Sequence, residues 1–141
     1  MAERTSEREV GKTRDTGWQI GVRRTLPLSV DEAWTRVTSP EGMGAWLGGE
    51  VELERGKGFA LADGASGEVR VMEPGSHLRL TWQPGGWARS STIQVRVLPA
   101  ARGATVAFHQ EHLPDAQARE ARRAHFAAAL DALARIAGED G

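Results

Sequence analysis

Polar and apolar residues begin to alternate at Trp18. Trp18, Ile20 and Val22 alternate with Gln19, Gly21 and Arg23, which predicts a strand with one buried face running to about Leu26. Pro27 ends it. Ser29-Val30-Asp31-Glu32 then has the form of a capping box, with a glutamate placed to reach back to the serine. It predicts a short helix that buries Val30, Ala33, Trp34 and Val37. Ser39-Pro40-Glu41 starts a second short helix with proline in its first position. Met43, Trp46 and Leu47 face inward from it, and Gly48-Gly49 closes it.

From Glu50 to His112 the period falls to two. Val51 and Leu53 predict one strand, and Phe59 and Leu61 a second that turns at Asp63-Gly64. Val69 and Val71 predict a third, closed by Glu73-Pro74-Gly75. Leu78, Leu80 and Trp82 form the next, followed by the turn Pro84-Gly85-Gly86. Ile93, Val95 and Val97 follow, then Ala104, Val106 and Phe108. Hairpin spacing implies an antiparallel sheet, and persistent alternation implies that one of its faces meets solvent.

The stretch from Pro114 to Ala137 predicts a long amphipathic helix. Asp115 sits in its first turn, where a carboxylate suits the helix dipole, and Gly138 stands at its C-terminal end. Phe126, Ala129, Leu130, Leu133, Ile136 and Ala137 make its apolar stripe. It is the only predicted element long enough to cover the sheet. The fold class is therefore α+β, with about six to seven antiparallel strands, two short helices after the first strand and a long C-terminal helix.

Composition narrows the class further. The 141 residues suit one domain, read here as 17–138, preceded by a charged, disordered tail over 1–16 and followed by a short tail over 139–141. Gly11-Lys12-Thr13 echoes the end of a phosphate loop. The glycine that loop needs earlier falls at Ser6, and no strand precedes it. A net charge of −1 gives no reason to expect nucleic acid as partner. No cysteine is present, so no disulfide or thiolate chemistry is available. No apolar run reaches membrane-spanning length, so membrane insertion is not expected and the expected location is cytoplasmic. Five tryptophans without a tyrosine supply most of the aromatic surface.

Several stretches together resemble one superfamily. Leu28-Ser29-Val30-Asp31-Glu32-Ala33-Trp34, then Thr38-Ser39-Pro40-Glu41-Gly42 with Trp46-Leu47, resemble its opening helices. Gly67 to Pro74, His77-Leu78 to Trp82, and Gly103-Ala104-Thr105 to Leu113-Pro114-Asp115 resemble its later strands and helix entry. The superfamily is the helix-grip group of START and birch-allergen-like domains, known as SRPBCC. The branch is that of the activator of the heat-shock-protein ATPase. Two departures stand out: His125-Phe126 replaces a usual Gly-Trp, and Gly56-Lys57-Gly58 replaces a Gly-Gly.

The resemblance implies a curved sheet wrapped round the long helix, with a cavity between them, and strand parity supplies an apolar wall for such a space. The expected lining is Met43, Trp46, Leu47, Phe59, Leu61, Val71, Leu80, Trp82, Ile93, Val95 and Phe108, faced by Phe126, Ala129, Leu130 and Leu133. His112, in phase with Phe108 and Gln110, and His125, beside the helix stripe, are candidate polar handles. The expected partner is a small hydrophobic molecule: a lipid, or a polyketide-like or aromatic compound. A densely packed core without useful space is the alternative.

Other chemistry finds less support. His109 and His112 point to opposite faces of a strand and do not form the helical metal-binding spacing, so no metal is assigned. No carboxylate pair or activated nucleophile stands out, so no catalytic residue and no cofactor is assigned. Arg119, Arg122 and Arg123, interleaved with Glu120, read as a solvated helix face. Arg24 keeps the inward parity of Val22 and is placed either to meet a carboxylate or to snorkel. Two further functions come from the resemblance: a cyclase- or hydrolase-type enzyme of this fold, and a chaperone-associated interaction protein. The sequence leaves open whether the chain forms a homodimer.

Overall fold

The computed structural model describes residues 12–13 and 17–140. Seven strands form one antiparallel sheet: β1 (Lys12–Thr13), β2 (Gly17–Leu26), β3 (Gly58–Ala60), β4 (Ser66–Glu73), β5 (His77–Trp82), β6 (Ser91–Ala100) and β7 (Gly103–Leu113). Their order across the sheet is β1-β2-β7-β6-β5-β4-β3. The first long strand thus lies beside the last, and the hairpin series β3 to β7 sweeps away from that pair. Two short helices, α1 (Val30–Thr38) and α2 (Pro40–Trp46), leave the end of β2, and the long helix α3 (Ala116–Asp140) follows β7. Helix α3 lies against β2, β7, α1 and α2.

Local chemistry explains most of the boundaries. The Ser29 hydroxyl accepts from the Glu32 amide at 3.1 Å, and the Glu32 carboxylate accepts from the Ser29 amide at 2.9 Å. The expected capping box is therefore complete. Ser39 caps α2 through the Gly42 amide at 3.0 Å, with Pro40 in the first turn. Asp115 precedes α3 rather than sitting inside it. Its carboxylate accepts from the Ala118 amide at 2.7 Å, which makes it the N-cap. The helix also runs past Gly138 to Asp140, since one internal glycine costs a helix only about 1 kcal/mol. The apolar stripe occupies the half from Phe126 onward, and over its full length α3 segregates apolar from polar positions weakly.

Three expectations change. Residues 51–56 form no strand, and Val51 and Leu53 are partly buried against the core. Val71 does not face the core. Val69 pairs with Leu80 but Val71 pairs with Arg79, so an extra residue on β4 turns Val71 to the outer face. Lys12 and Thr13, expected in a tail, pair with Trp18 and Gly17. The rest of the segment expected to be disordered, including Gly11 of the phosphate-loop echo, lies outside the described residues.

The remaining alternation holds. Leu78, Leu80, Trp82, Ile93, Val95, Val97, Val106 and Phe108 are all buried, and they meet Phe126, Ala129, Leu130 and Leu133 of α3 in one core. Arg24, with the parity of Val22, is exposed and pairs with Asp131 of α3 at 2.6 Å.

Candidate functional site

Aromatic rings fill the middle of the space between the sheet and α3. Phe108 of β7 and Phe126 of α3 stack with centroids 4.8 Å apart, and Trp46 of α2 tilts against Phe108 at 5.7 Å. All three are fully buried. The Trp46 indole nitrogen donates to the Val37 carbonyl at 2.9 Å, so its polar edge is satisfied.

His125 stands beside this cluster, edge-on to Phe126. Its Nε2–H donates to the Trp46 carbonyl at 2.8 Å, which ties α3 to the end of α2. Burial holds the pKa of His125 below its ordinary value, and the nearby Arg122 charge adds to this. The bond to Trp46 acts in the opposite direction.

A polar chain runs through the same core towards the β5–β6 loop. The Ser91 hydroxyl donates to the Trp82 carbonyl at 2.7 Å and accepts from Gln110 Nε2 at 2.8 Å. Gln110 Oε1 accepts from Arg122 Nε at 2.9 Å. Ser91 and Gln110 are both completely buried. Arg122 ends the chain. Its guanidinium carbon lies 4.0 Å from the Trp82 ring centroid and 5.0 Å from that of Phe126. Desolvation pulls its pKa down to about 10, with the charge of Asp63 opposing, so it stays a cation near neutrality. Among the described residues, no carboxylate lies within ion-pair distance of it.

Beyond Trp82 the structure opens. The β5–β6 loop and the end of β7 border a groove of about 790 Å³, lined by Gly17, Gln83, Trp87, Ala88, Arg89, Ser90, His112, Leu113 and Pro114. Trp87 meets Trp82 edge-on, with centroids 5.4 Å apart and 85° between the rings. Trp87 thus links the groove wall to Trp82, over whose ring Arg122 lies, while Trp82 and Arg122 themselves stand outside the groove lining. The lining contains one arginine and no carboxylate.

A bulge shapes the β7 side of the groove. Trp18 pairs with Leu113 but Ile20 pairs with Gln110, so β7 carries one residue more than β2 there. His112 takes a left-handed backbone conformation (φ 64°). It is exposed while Leu113 is buried. The expectation that His112 follows Phe108 and Gln110 inward fails at this bulge.

The other expected residues divide by depth. Met43, Trp46, Leu47, Leu61, Leu80, Trp82, Ile93, Val95, Phe108, Phe126, Ala129, Leu130 and Leu133 are buried together, and Phe59 and His125 are half-buried beside them. His112 belongs to the groove instead. Sequence reasoning missed Arg122, Trp87 and Arg89. Arg122 carries a readable signal: it lies one helical turn before Phe126 and extends the inward stripe. Trp87 and Arg89 sit in a loop, where periodicity says nothing. Among the described residues, no group of three or more metal-binding side chains assembles.

Comparison with known proteins fixes the family. The family model described as Activator of Hsp90 ATPase homolog 1-like protein matches residues 27–138. This chain belongs to that family. Membership agrees with the helix-grip resemblance in the sequence. Among solved structures, MLL2253 from Mesorhizobium loti superposes with a TM-score of 0.73 at 19% identity, over 87% of this chain and 98% of that one. CalU16 from Micromonospora echinospora gives a TM-score of 0.72 at 24% identity, over 89% and 81%. DynU16, a protein of the dynemicin biosynthetic locus, gives 0.68 at 22% identity, over 83% of this chain and 46% of that one. These likenesses show a shared fold. Comparison with proteins of curated function gives no match. No helix of the described residues is long and apolar enough to cross a membrane.

Proposed function

We propose that this family member binds a small, largely hydrophobic molecule at the loop end of its helix grip. The ligand enters by the groove beside Trp87 and packs against Trp82 and the edge of the core. One observation carries this reading: Trp87 both walls the groove and touches Trp82, which belongs to the core. Concave sites with aromatic walls and a few convergent polar groups suit small ligands. A biosynthetic small molecule would be in keeping with the locus of DynU16, a protein of the same fold.

The alternatives draw less support. Acid–base catalysis by His112 and His125 needs the two to converge, but His125 is engaged with Trp46 and His112 is exposed at the bulge. A chaperone contact rests on the family description, and Leu98 is the one large apolar side chain exposed among the described residues.

The test is tryptophan quenching with hydrophobic fluorophores and lipids, on the native chain and on Trp87→Ala. Saturable binding weakened by about tenfold or more in the variant supports the site. Absence of saturable binding to the folded native chain overturns it.

A further inference from the structure

Resting on that reading, we infer that the ligand carries an acidic group, a carboxylate or its equivalent, which reaches from the groove past the Trp87–Trp82 pair to Arg122, a residue outside the groove lining. Two fully buried polar side chains in a mostly apolar interior need a reason. Here Ser91 and Gln110 form one directed chain from the Trp82 carbonyl to Arg122. That chain uses Nε of the guanidinium and fixes its plane. The two terminal nitrogens have no acceptor among the described residues. They are the fork that binds a carboxylate bidentately.

The surroundings ask for the same partner. Removing a cation from water is costly unless an anion meets it. Trp82 and Phe126 offer ring faces but no counter-charge. Asp63 acts on Arg122 only from beyond ion-pair distance. Trp82 adds a second donor, since its indole nitrogen is buried without an acceptor. Arg89 in the groove lining, with no acid beside it there, favours approach of an anion. An aromatic or alkyl acid fits this arrangement: its apolar body lies on Trp87 and Trp82, and its charge lies on Arg122.

The experiment compares 2-naphthoate, its methyl ester and 2-naphthylmethylamine by calorimetric titration of the full chain. A charge-assisted pair predicts that the acid binds roughly 10- to 100-fold tighter than the ester and that the amine binds weakest. The preference should vanish in Arg122→Met, shrink in Arg122→Lys and persist in Arg89→Met. On the native chain, the Arg122 Nε–H resonance should shift with the acid and not with the ester, a readout independent of whether a variant folds. Equal binding of acid and ester, both weakened by Trp87→Ala, overturns the acidic-ligand inference and leaves the groove intact. A preference that depends on Arg89 and not on Arg122 overturns the assignment. Binding of no probe overturns both readings.

Discussion

The Arg122 guanidinium carbon lies 4.0 Å from the centroid of the Trp82 ring, and that ring touches Trp87 in the groove wall. Each residue explains the other's position. Trp82 gives the cation a face it can approach after losing water. Arg122 in turn brings a charge into a layer that would otherwise be apolar. The only fully buried serine and glutamine of the described core point into this contact through one hydrogen-bonded chain.

That chain should carry stability as well as orientation. Gln110→Leu removes the acceptor of Arg122 Nε and the donor to Ser91 in one step. Leaving buried polar groups unpaired costs about 1–3 kcal/mol. Urea unfolding should show a lower midpoint with an unchanged slope. A variant as stable as the native chain would mean that the network is relieved by water.

Acid should weaken the fold through His125. Its pKa is lowered from 6.5 in the folded chain, so the unfolded chain binds the proton more readily. The stabilisation is fully present above the unfolded value. It declines as pH falls from about 6.5 through the lower folded value, and then levels off. His125→Gln retains a donor for the Trp46 carbonyl and removes the titration. Unfolding midpoints measured across this range should fall less steeply for the variant, and identical profiles would contradict the assignment.

Gly67 permits the close approach of β3, β4 and β5. A side-chain carbon there would be driven into the Thr81 carbonyl oxygen and would meet Phe59 at 2.6 Å. Because the first obstacle is backbone, relief requires β4 to move. Gly67→Ala should cost about 2–3 kcal/mol or prevent folding, measured by denaturant unfolding.

The Arg24–Asp131 pair should matter far less. It links β2 to α3 at 2.6 Å, but both side chains are about half exposed. Asp131→Ala should change stability by less than about 1 kcal/mol, and added salt should reduce that difference.

Much of this arrangement is legible in the sequence because it is local. Ser29 and Glu32 announce α1, and Leu78-Leu80-Trp82 and Ile93-Val95-Val97 announce two inner strands. The departures come from interactions that alternation does not encode. A single extra residue in β4 reverses the face of Val71, and another in β7 turns His112 out and Leu113 in. Neither bulge disturbs the local polar–apolar pattern enough to reveal itself.

Arg122 was readable by position and hidden by chemistry. Its neighbours Arg119, Glu120 and Arg123 suggest a solvated face, and Arg123 does pair with Glu120 there. Yet Arg122 shares the face of Phe126, Leu130 and Leu133. A charged residue in phase with a core stripe signals buried polar or ring contacts, here Gln110, Trp82 and Phe126. The groove gave no such clue, because it forms where the β5–β6 loop meets the end of β7, far apart in sequence.

The five tryptophan indole resonances offer the most direct test of the account, since Trp87 lines the groove and Trp82 touches Trp87, while Trp18, Trp34 and Trp46 do not line the groove. In a nitrogen–proton correlation spectrum of the folded native chain, titration with 2-naphthoate should move the Trp82 and Trp87 signals together, saturably, with little change at Trp34. Unmoved Trp82 and Trp87 signals at saturating acid, or a response confined to other tryptophans, would contradict it.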